Sequence, residues 1–145
     1  MKKLVLILLA ALGVFGALAL YYVAQGFMDA ARHGGSPAAR ERRLAEISTR
    51  QNIGLPKNYD SETVMVTTTA GPGLRFTYVF KLVNLTSTHV DAAKLAAAVK
   101  PKLIDKYKNL PELADFRKWQ VELRWQYLDK DGREITTVAA SPQDL

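Results

Sequence analysis

The sequence predicts an α+β protein in which an N-terminal transmembrane helix is followed by a small ββαββ domain. Three observations carry this prediction: an uncharged apolar run at 4–24, two segments of alternating polarity at 74–84 and 119–128, and an alanine-rich helical segment between them. The expected domain has an antiparallel sheet of four strands, one face of which is covered by a kinked helix. The predicted boundaries are 1–24 for the membrane segment, 25–61 for a linker with a short helix at 38–50, and 62–145 for the globular domain.

The apolar run at 4–24 is long enough to cross a bilayer. Its 21 residues would span roughly 32 Å as a helix, against about 30 Å of hydrocarbon. Tyr21 and Tyr22 stand where an aromatic belt would meet the far interface. A cleaved signal peptide is the alternative, because Lys2 and Lys3 form a short basic start and Ala17-Leu18-Ala19 fits a cleavage site. The favoured arrangement is a single pass through a bacterial inner membrane with a periplasmic C-terminal domain.

Small residues recur on one side of this predicted helix, at Ala10, Gly13 and Ala17. Such spacing allows a second helix to approach closely in lipid. It predicts a helix-packing face whose partner is an integral membrane protein or complex, or a second copy of the chain. Membrane lipid is the other expected partner.

The linker contains a helical segment at 38–50. Pro37 can start a helix, and Leu44 and Ile47 are spaced three apart on an otherwise basic, polar segment. Three placements are open: a solvated spacer, contact with anionic headgroups, or contact with the domain.

The first half of the domain reads as a β-hairpin. Residues 62–70 are rich in β-branched side chains, which favour a strand. Gly71-Pro72-Gly73 supplies a turn. In 74–84, apolar and polar side chains then alternate with a period of two, as in a half-buried strand.

An alanine-rich helix is expected next. Thr88 and Asp91 have the spacing of a capping box, and the helix should follow from Val90. Leu95, Val99 and Leu103 form its apolar stripe. Pro101 removes a backbone hydrogen bond, so a kink or a break into two helices is predicted near Lys100.

The last third of the chain predicts a second hairpin. Residues 119–128 alternate clearly, and 133–140 return as the partner strand. Asp129 to Gly132 supply the turn, in which Gly132 is expected to adopt positive φ.

No constellation of residues indicates catalysis. The chain has no cysteine, and His33 and His89 are 56 positions apart, so a transition-metal site has no ligand set. Asp129 and Asp131 are read as turn residues because the following glycine is misplaced for a calcium loop. No serine stands in a nucleophile elbow. We therefore predict a protein that is not an enzyme and has no catalytic, cofactor-binding or metal residues.

The formal charge of +6 is spread along the chain, with a surplus of two in each of 1–24, 25–50 and 51–145. A nucleic-acid interface would cluster its basic residues. Nucleic acid is therefore not an expected partner.

The two alternating segments predict both the core and a docking face. The aromatic side chains of the alternating strands are expected to lie between sheet and helix: Phe76, Tyr78, Phe80, Trp119, Trp125 and Tyr127. The polar side chains on the opposite face form the candidate docking surface: Arg75, Lys81, Glu122, Arg124 and Gln126.

Three runs carry a family resemblance: AGPGLRFTYVFKLVN, KPKLIDKY and FRKWQVELRWQYLDKDGREI. Over about 70–142 the chain resembles small bacterial envelope proteins of unassigned function. The resemblance implies a hairpin-helix-hairpin domain behind an export or anchor segment. Those proteins often carry cysteines near the helix end and the carboxyl terminus, where this chain has Tyr107-Lys108-Asn109 and Asp144-Leu145. It implies no functional residue.

Together these features predict a membrane-anchored accessory or scaffold protein that binds other proteins of a membrane assembly. The alternative is a cleaved, soluble periplasmic binding protein or inhibitor. The intact mass of the native protein distinguishes the two.

Overall fold

The computed structural model describes residues 35–145, in which a helix, three strands, two helices and two further strands follow one another. Three single 3-10 turns lie at Ser87–His89, Pro111–Leu113 and Pro142–Asp144. The helices and strands, in chain order, are α1 Pro37–Asn52, β1 Lys57–Asn58, β2 Thr63–Gly71, β3 Arg75–Leu82, α2 Ala92–Asn109, α3 Ala114–Lys118, β4 Glu122–Leu128 and β5 Glu134–Ala140.

The predicted membrane segment at 1–24, with Ala10, Gly13 and Ala17, lies outside the described residues. Within 35–145, none of the helices has both the length and the apolar character that crossing a bilayer requires.

The sheet is mixed, with five strands in the order β1-β2-β3-β4-β5. Neighbouring strands are antiparallel except the central pair, in which β3 and β4 are parallel. The predicted four-stranded antiparallel sheet is therefore wrong. The chain leaves β3 and returns through α2 to the end at which β3 began, and such a helical crossover produces a parallel pair. β1 was not predicted because two residues show no alternation.

The core lies between the sheet and the helices on one of its faces. The six aromatic side chains that were expected there are all buried, which confirms that part of the prediction. Phe80 stacks on Tyr127 with ring centroids 5.6 Å apart, and Phe76 lies 5.2 Å from Phe116 of α3. Aromatic pairs at such distances stabilise a core beyond the area they bury.

Helix α1 belongs to this core. Leu44 and Ile47 are 0% and 4% exposed and pack with the aromatic side chains of the sheet. The helix lies over β2, where the Ser48 hydroxyl donates to the Thr68 carbonyl at 2.8 Å. The sequence left three placements of this helix open. The structure shows the third, contact with the domain, for the side of α1 that carries Leu44 and Ile47.

Polar contacts fix the position of α1 along β2. The Asn52 side chain pairs with the backbone of Thr68 as a neighbouring strand would: its Nδ2 donates to the carbonyl at 2.9 Å, and its Oδ1 accepts from the amide at 2.7 Å. At the other end of α1, Glu41 Oε1 accepts from the Gly73 amide at 2.8 Å. The helix thus satisfies edge groups of β2 that the short β1 does not reach.

Helix α2 is continuous through Pro101, so a break into two helices near Lys100 is wrong, whereas the kink that was the other expectation stays a prediction. Val99 and Leu103, on either side of the proline, are fully buried and hold both halves against the sheet. Pro101 itself is exposed, so its ring meets solvent. The helix begins at Ala92 because Asp91 is the N-cap and accepts from the Lys94 amide at 3.1 Å.

The end of α2 is held by buried hydrogen bonds. The Tyr107 hydroxyl donates to the Val121 carbonyl at 2.6 Å. Arg117 donates to the carbonyls of Tyr107 and Leu110 at 2.7 and 2.8 Å. The two Arg117 contacts satisfy carbonyls at the C-terminus of α2, where every helix leaves its last carbonyls unpaired.

The second hairpin forms as predicted, although β4 starts later than expected. Gly132 has φ +82°, which confirms the positive φ expected of it. Residues 119–121 precede the strand because Gln120 has φ +61°, a left-handed conformation that interrupts extended backbone. Trp119 and Val121 are nevertheless buried.

Candidate functional site

The face of the sheet opposite α1 and α2 carries the predicted docking residues, and we call it the open face. Register pairs Arg75 of β3 with Glu122 of β4 and places Thr77 beside Arg124. Gln126 lies beside Val79 one row further along. Side chains alternate along each strand, so these residues point away from the aromatic core. All five predicted residues belong to this face: Arg75, Lys81, Glu122, Arg124 and Gln126.

A charged cluster occupies one end of the open face. Glu122 Oε1 lies 2.5 Å from Arg124 Nε and 3.3 Å from Arg75 Nε. The side chains of the three residues remain 32% to 40% exposed. Ion pairs at such exposure contribute at most about 1 kcal/mol each to stability. The ion pairs therefore orient the two guanidinium groups. Because these pairs are weak and exposed, both groups remain available to bind a partner.

A second polar cluster lies across β4 and β5. Gln126 Nε2 donates to Glu134 Oε2 at 2.7 Å, and the Thr137 hydroxyl donates to Glu134 Oε1 at 2.8 Å. Glu134 and Thr137 were not included in the predicted docking face. The signal existed in the sequence, since an antiparallel hairpin closed at Gly132 brings β5 side chains beside those of β4.

Beside the two clusters, the same rows of the open face carry short side chains. Register places Thr69 of β2, Thr77 of β3 and Ala139 of β5 in the same row as Arg124. Thr67 and Val79 lie in the next row. The open face therefore combines short side chains with polar groups and charges of both signs.

The histidine and serine side chains that could take part in metal or acid-base chemistry have structural roles where the structure describes them. No group of three or more His, Asp or Glu side chains in the described part of the chain could hold a metal ion. His89 ends a 3-10 turn and contacts the Thr86 hydroxyl through Nδ1. His33 lies outside the described residues. The Ser141 hydroxyl donates to the Asp144 carboxylate within the C-terminal 3-10 turn at 2.9 Å, a capping role.

Asp129 is the most perturbed carboxyl group. Its side chain accepts from the amides of Ser87, Asp131 and Arg133 at 3.0, 2.9 and 2.9 Å. These hydrogen bonds, that from Ser87 first, lower its pKa to about 2. The residue is fully buried and connects the second hairpin to the turn after β3. Its geometry confirms the turn role predicted for it.

Comparisons with known proteins give the fold but no family. No protein-family model matches the chain, and no curated protein matches it. Solved structures do match. A candidate secreted protein of Pseudomonas aeruginosa aligns with a TM-score of 0.61 and 13% identity, over 77% of this chain and 98% of that one.

Two pilotins of type II secretion systems have similar folds. AspS of Vibrio cholerae aligns with a TM-score of 0.51 and 10% identity, over 77% of this chain and all of AspS. EpsS of Vibrio vulnificus aligns with a TM-score of 0.52 and 14% identity, over 74% of this chain and 96% of EpsS. At these identities the similarity concerns the fold. The fold of the described residues is therefore one that is found in small secretion-system proteins.

Proposed function

We propose that the protein is a non-enzymatic accessory component of a membrane-associated protein assembly, which it joins by binding another polypeptide through the open face. The observation that carries the proposal is the open face itself, on which a charged cluster and a polar cluster lie beside short, threonine-rich side chains. Arginine is enriched in protein interfaces, and charges of both signs fix the orientation of a partner.

The likeness of fold to two pilotins supports the class of assembly. Both structures come from type II secretion systems, and this chain covers 96% or more of their length. We infer that the assembly is a secretion-type complex of the cell envelope.

The segment at 1–24 is proposed as the membrane anchor, with the domain in the periplasm. In this arrangement Ala10, Gly13 and Ala17 contact a helix of the integral membrane component. Gly13→Ile is expected to weaken copurification of that component in mild detergent, and Leu8→Ile provides a control that keeps the small residues. Equal copurification with both variants would count against the packing face.

Site-specific photo-crosslinking tests the open face. A photoreactive phenylalanine analogue at Thr77 is expected to give one discrete crosslinked product in cells, whereas the same analogue at Thr49, exposed on α1, gives none. Arg124→Glu should reduce the yield about tenfold or more, because reversing a charge places like charges together at the contact. Lys130→Glu in the exposed turn is the matched control. Equal yields from Thr77 and Thr49, or no effect of Arg124→Glu, would refute this use of the face.

The second candidate function is a cleaved, soluble periplasmic binding protein or inhibitor, and Ala17-Leu18-Ala19 is the observation that favours it. It predicts a native mass lacking residues 1–19. An intact mass that includes Met1 to Ala19 excludes this candidate.

A further inference from the structure

In the folded domain, basic side chains are concentrated on the two long helices. Helices α1 and α2 together carry nine basic and three acidic side chains, whereas the other residues of 35–145 carry eight basic and ten acidic. Both helices pack on the same face of the sheet, so their outer sides belong to one surface, which we call the helix layer. The sequence conceals this surface, because the two helices are far apart along the chain.

The ion pairs formed by the layer compensate part of its positive charge. Arg43 contacts Glu46 at 2.7 Å, and Lys100 contacts Asp144 of the C-terminal turn at 3.6 Å. Lys94 contacts the N-cap Asp91 at 3.3 Å. These pairs involve one acidic side chain of α1 and two from outside the layer.

The two other acidic side chains of the helices are engaged with neutral groups. Glu41 accepts from the Gly73 amide, and Asp105 accepts from the Asn109 side chain at 2.8 Å. Arg42, Arg50 and Lys108 are exposed.

Lys102 and Lys106 are four positions apart on α2, so their like charges are neighbours on one flank of the helix. Burial, together with the positive charge of Lys102, lowers the pKa of Lys106 below its ordinary value. Such a surplus of positive charge raises the local concentration of anions.

The chain itself indicates which anion is near. The apolar run ends at Ala24 and α1 begins at Pro37, so 12 residues separate them. Even fully extended, that length spans at most about 40 Å. An anchored chain therefore holds the helix layer close to lipid headgroups, where each basic side chain increases binding to anionic lipid by about fivefold.

We propose that the helix layer faces the anionic lipid surface and that the open face consequently points towards the protein partner. The inference rests on the membrane anchoring proposed above. Anionic phospholipid is chosen over an acidic protein or nucleic acid because only 12 residues separate the apolar segment from α1, the first element of the domain.

Energy transfer between a single dye and labelled lipids tests this orientation. The chain has no native cysteine, so Ala97→Cys reports on the exposed side of α2 and Thr69→Cys on the open face. The full chain is reconstituted in vesicles of phosphatidylcholine alone or with about one third phosphatidylglycerol, with acceptor dye on the headgroups. We expect higher transfer from Ala97→Cys than from Thr69→Cys in anionic vesicles, and loss of the difference at about 1 M salt, where the Debye length is about 3 Å.

Charge reversal provides the matched comparison. Arg42→Glu with Lys108→Glu should abolish the difference, whereas Lys130→Glu with Arg133→Glu changes the net charge equally outside the layer and should preserve it. Equal transfer from both sites in anionic vesicles, or a difference insensitive to lipid charge, would overturn the proposal. So would a chain that does not float with either kind of vesicle.

Binding of polyglutamate without any effect of lipid composition would assign the layer to an acidic protein and also overturn the proposal. If only the crosslinking test failed, partner binding at the open face would be refuted. The orientation of the helix layer, which energy transfer measures separately, would be unaffected.

Discussion

Truncation of Leu44 tests whether α1 is an integral part of the domain. Leu44 is 0% exposed and packs in the main core. Leu44→Ala removes three carbon atoms, and at about 0.8 kcal/mol for each buried carbon the transfer free energy lost is about 2.4 kcal/mol. The cavity left behind adds to this, so the free energy of unfolding should fall by about 3 to 4 kcal/mol.

The assay is thermal or urea unfolding of the full chain in mild detergent, followed by tryptophan fluorescence. Trp119 and Trp125 are the two tryptophans of the chain; both are buried in the core, and Trp125 lies in β4. A loss of this size should lower the melting temperature by about 10 °C or more. The probes report on the sheet, so a shift requires that α1 and the sheet unfold together.

Ile53 provides the matched control, because it is a large aliphatic residue 84% exposed just after the same helix. Ile53→Ala should change the free energy of unfolding by less than about 0.5 kcal/mol. A midpoint for Leu44→Ala that coincides with that of the wild type or of Ile53→Ala would show that α1 is a spacer, contrary to our reasoning.

Three further predictions concern hydrogen bonds and backbone conformation. Tyr107→Phe leaves the buried Val121 carbonyl without its donor, and urea unfolding should show a loss of about 1 to 3 kcal/mol; an unchanged midpoint would contradict the hydrogen bond. Gly132→Ala meets no neighbouring atom but must adopt φ +82°, so it should cost about 1 to 2 kcal/mol, whereas Gly54→Ala, without positive φ, should cost less. Because the pKa of Asp129 is lower in the folded chain, the unfolded chain binds the proton of this carboxyl group at a higher pH than the folded chain does. The stability that this carboxylate contributes should therefore be lost as pH falls from about 4 to about 2, and Asp129→Asn should flatten the acid limb of unfolding measured against pH; an unaltered limb would refute the assignment.

Local patterns predicted much of the fold. The alternation in β3 and β4 identified the aromatic core, since burial on one face imposes a period of two. Gly132 identified its turn because few other residues adopt positive φ readily. The docking residues followed from the same alternation, and all lie on the open face.

What the sequence did not reveal depends on contacts between distant segments. The parallel pairing of β3 with β4 is decided by the path of α2 over the sheet, and alternation is the same in parallel and antiparallel strands. The attachment of α1 rests on Asn52 and Thr68, which have no local signature. Pro101 carried a strong local signal for a break, but packing of α2 on both sides outweighed it.

The parallel central pair has a consequence for synthesis of the chain. β3 leaves the ribosome about forty residues before β4, so its core-facing rings have no sheet neighbour on that side until 122–128 emerge. Pairing of such distant segments is slow compared with local structure. The central pair of the sheet therefore forms only after 122–128 have been synthesised, which makes its assembly a late step of folding.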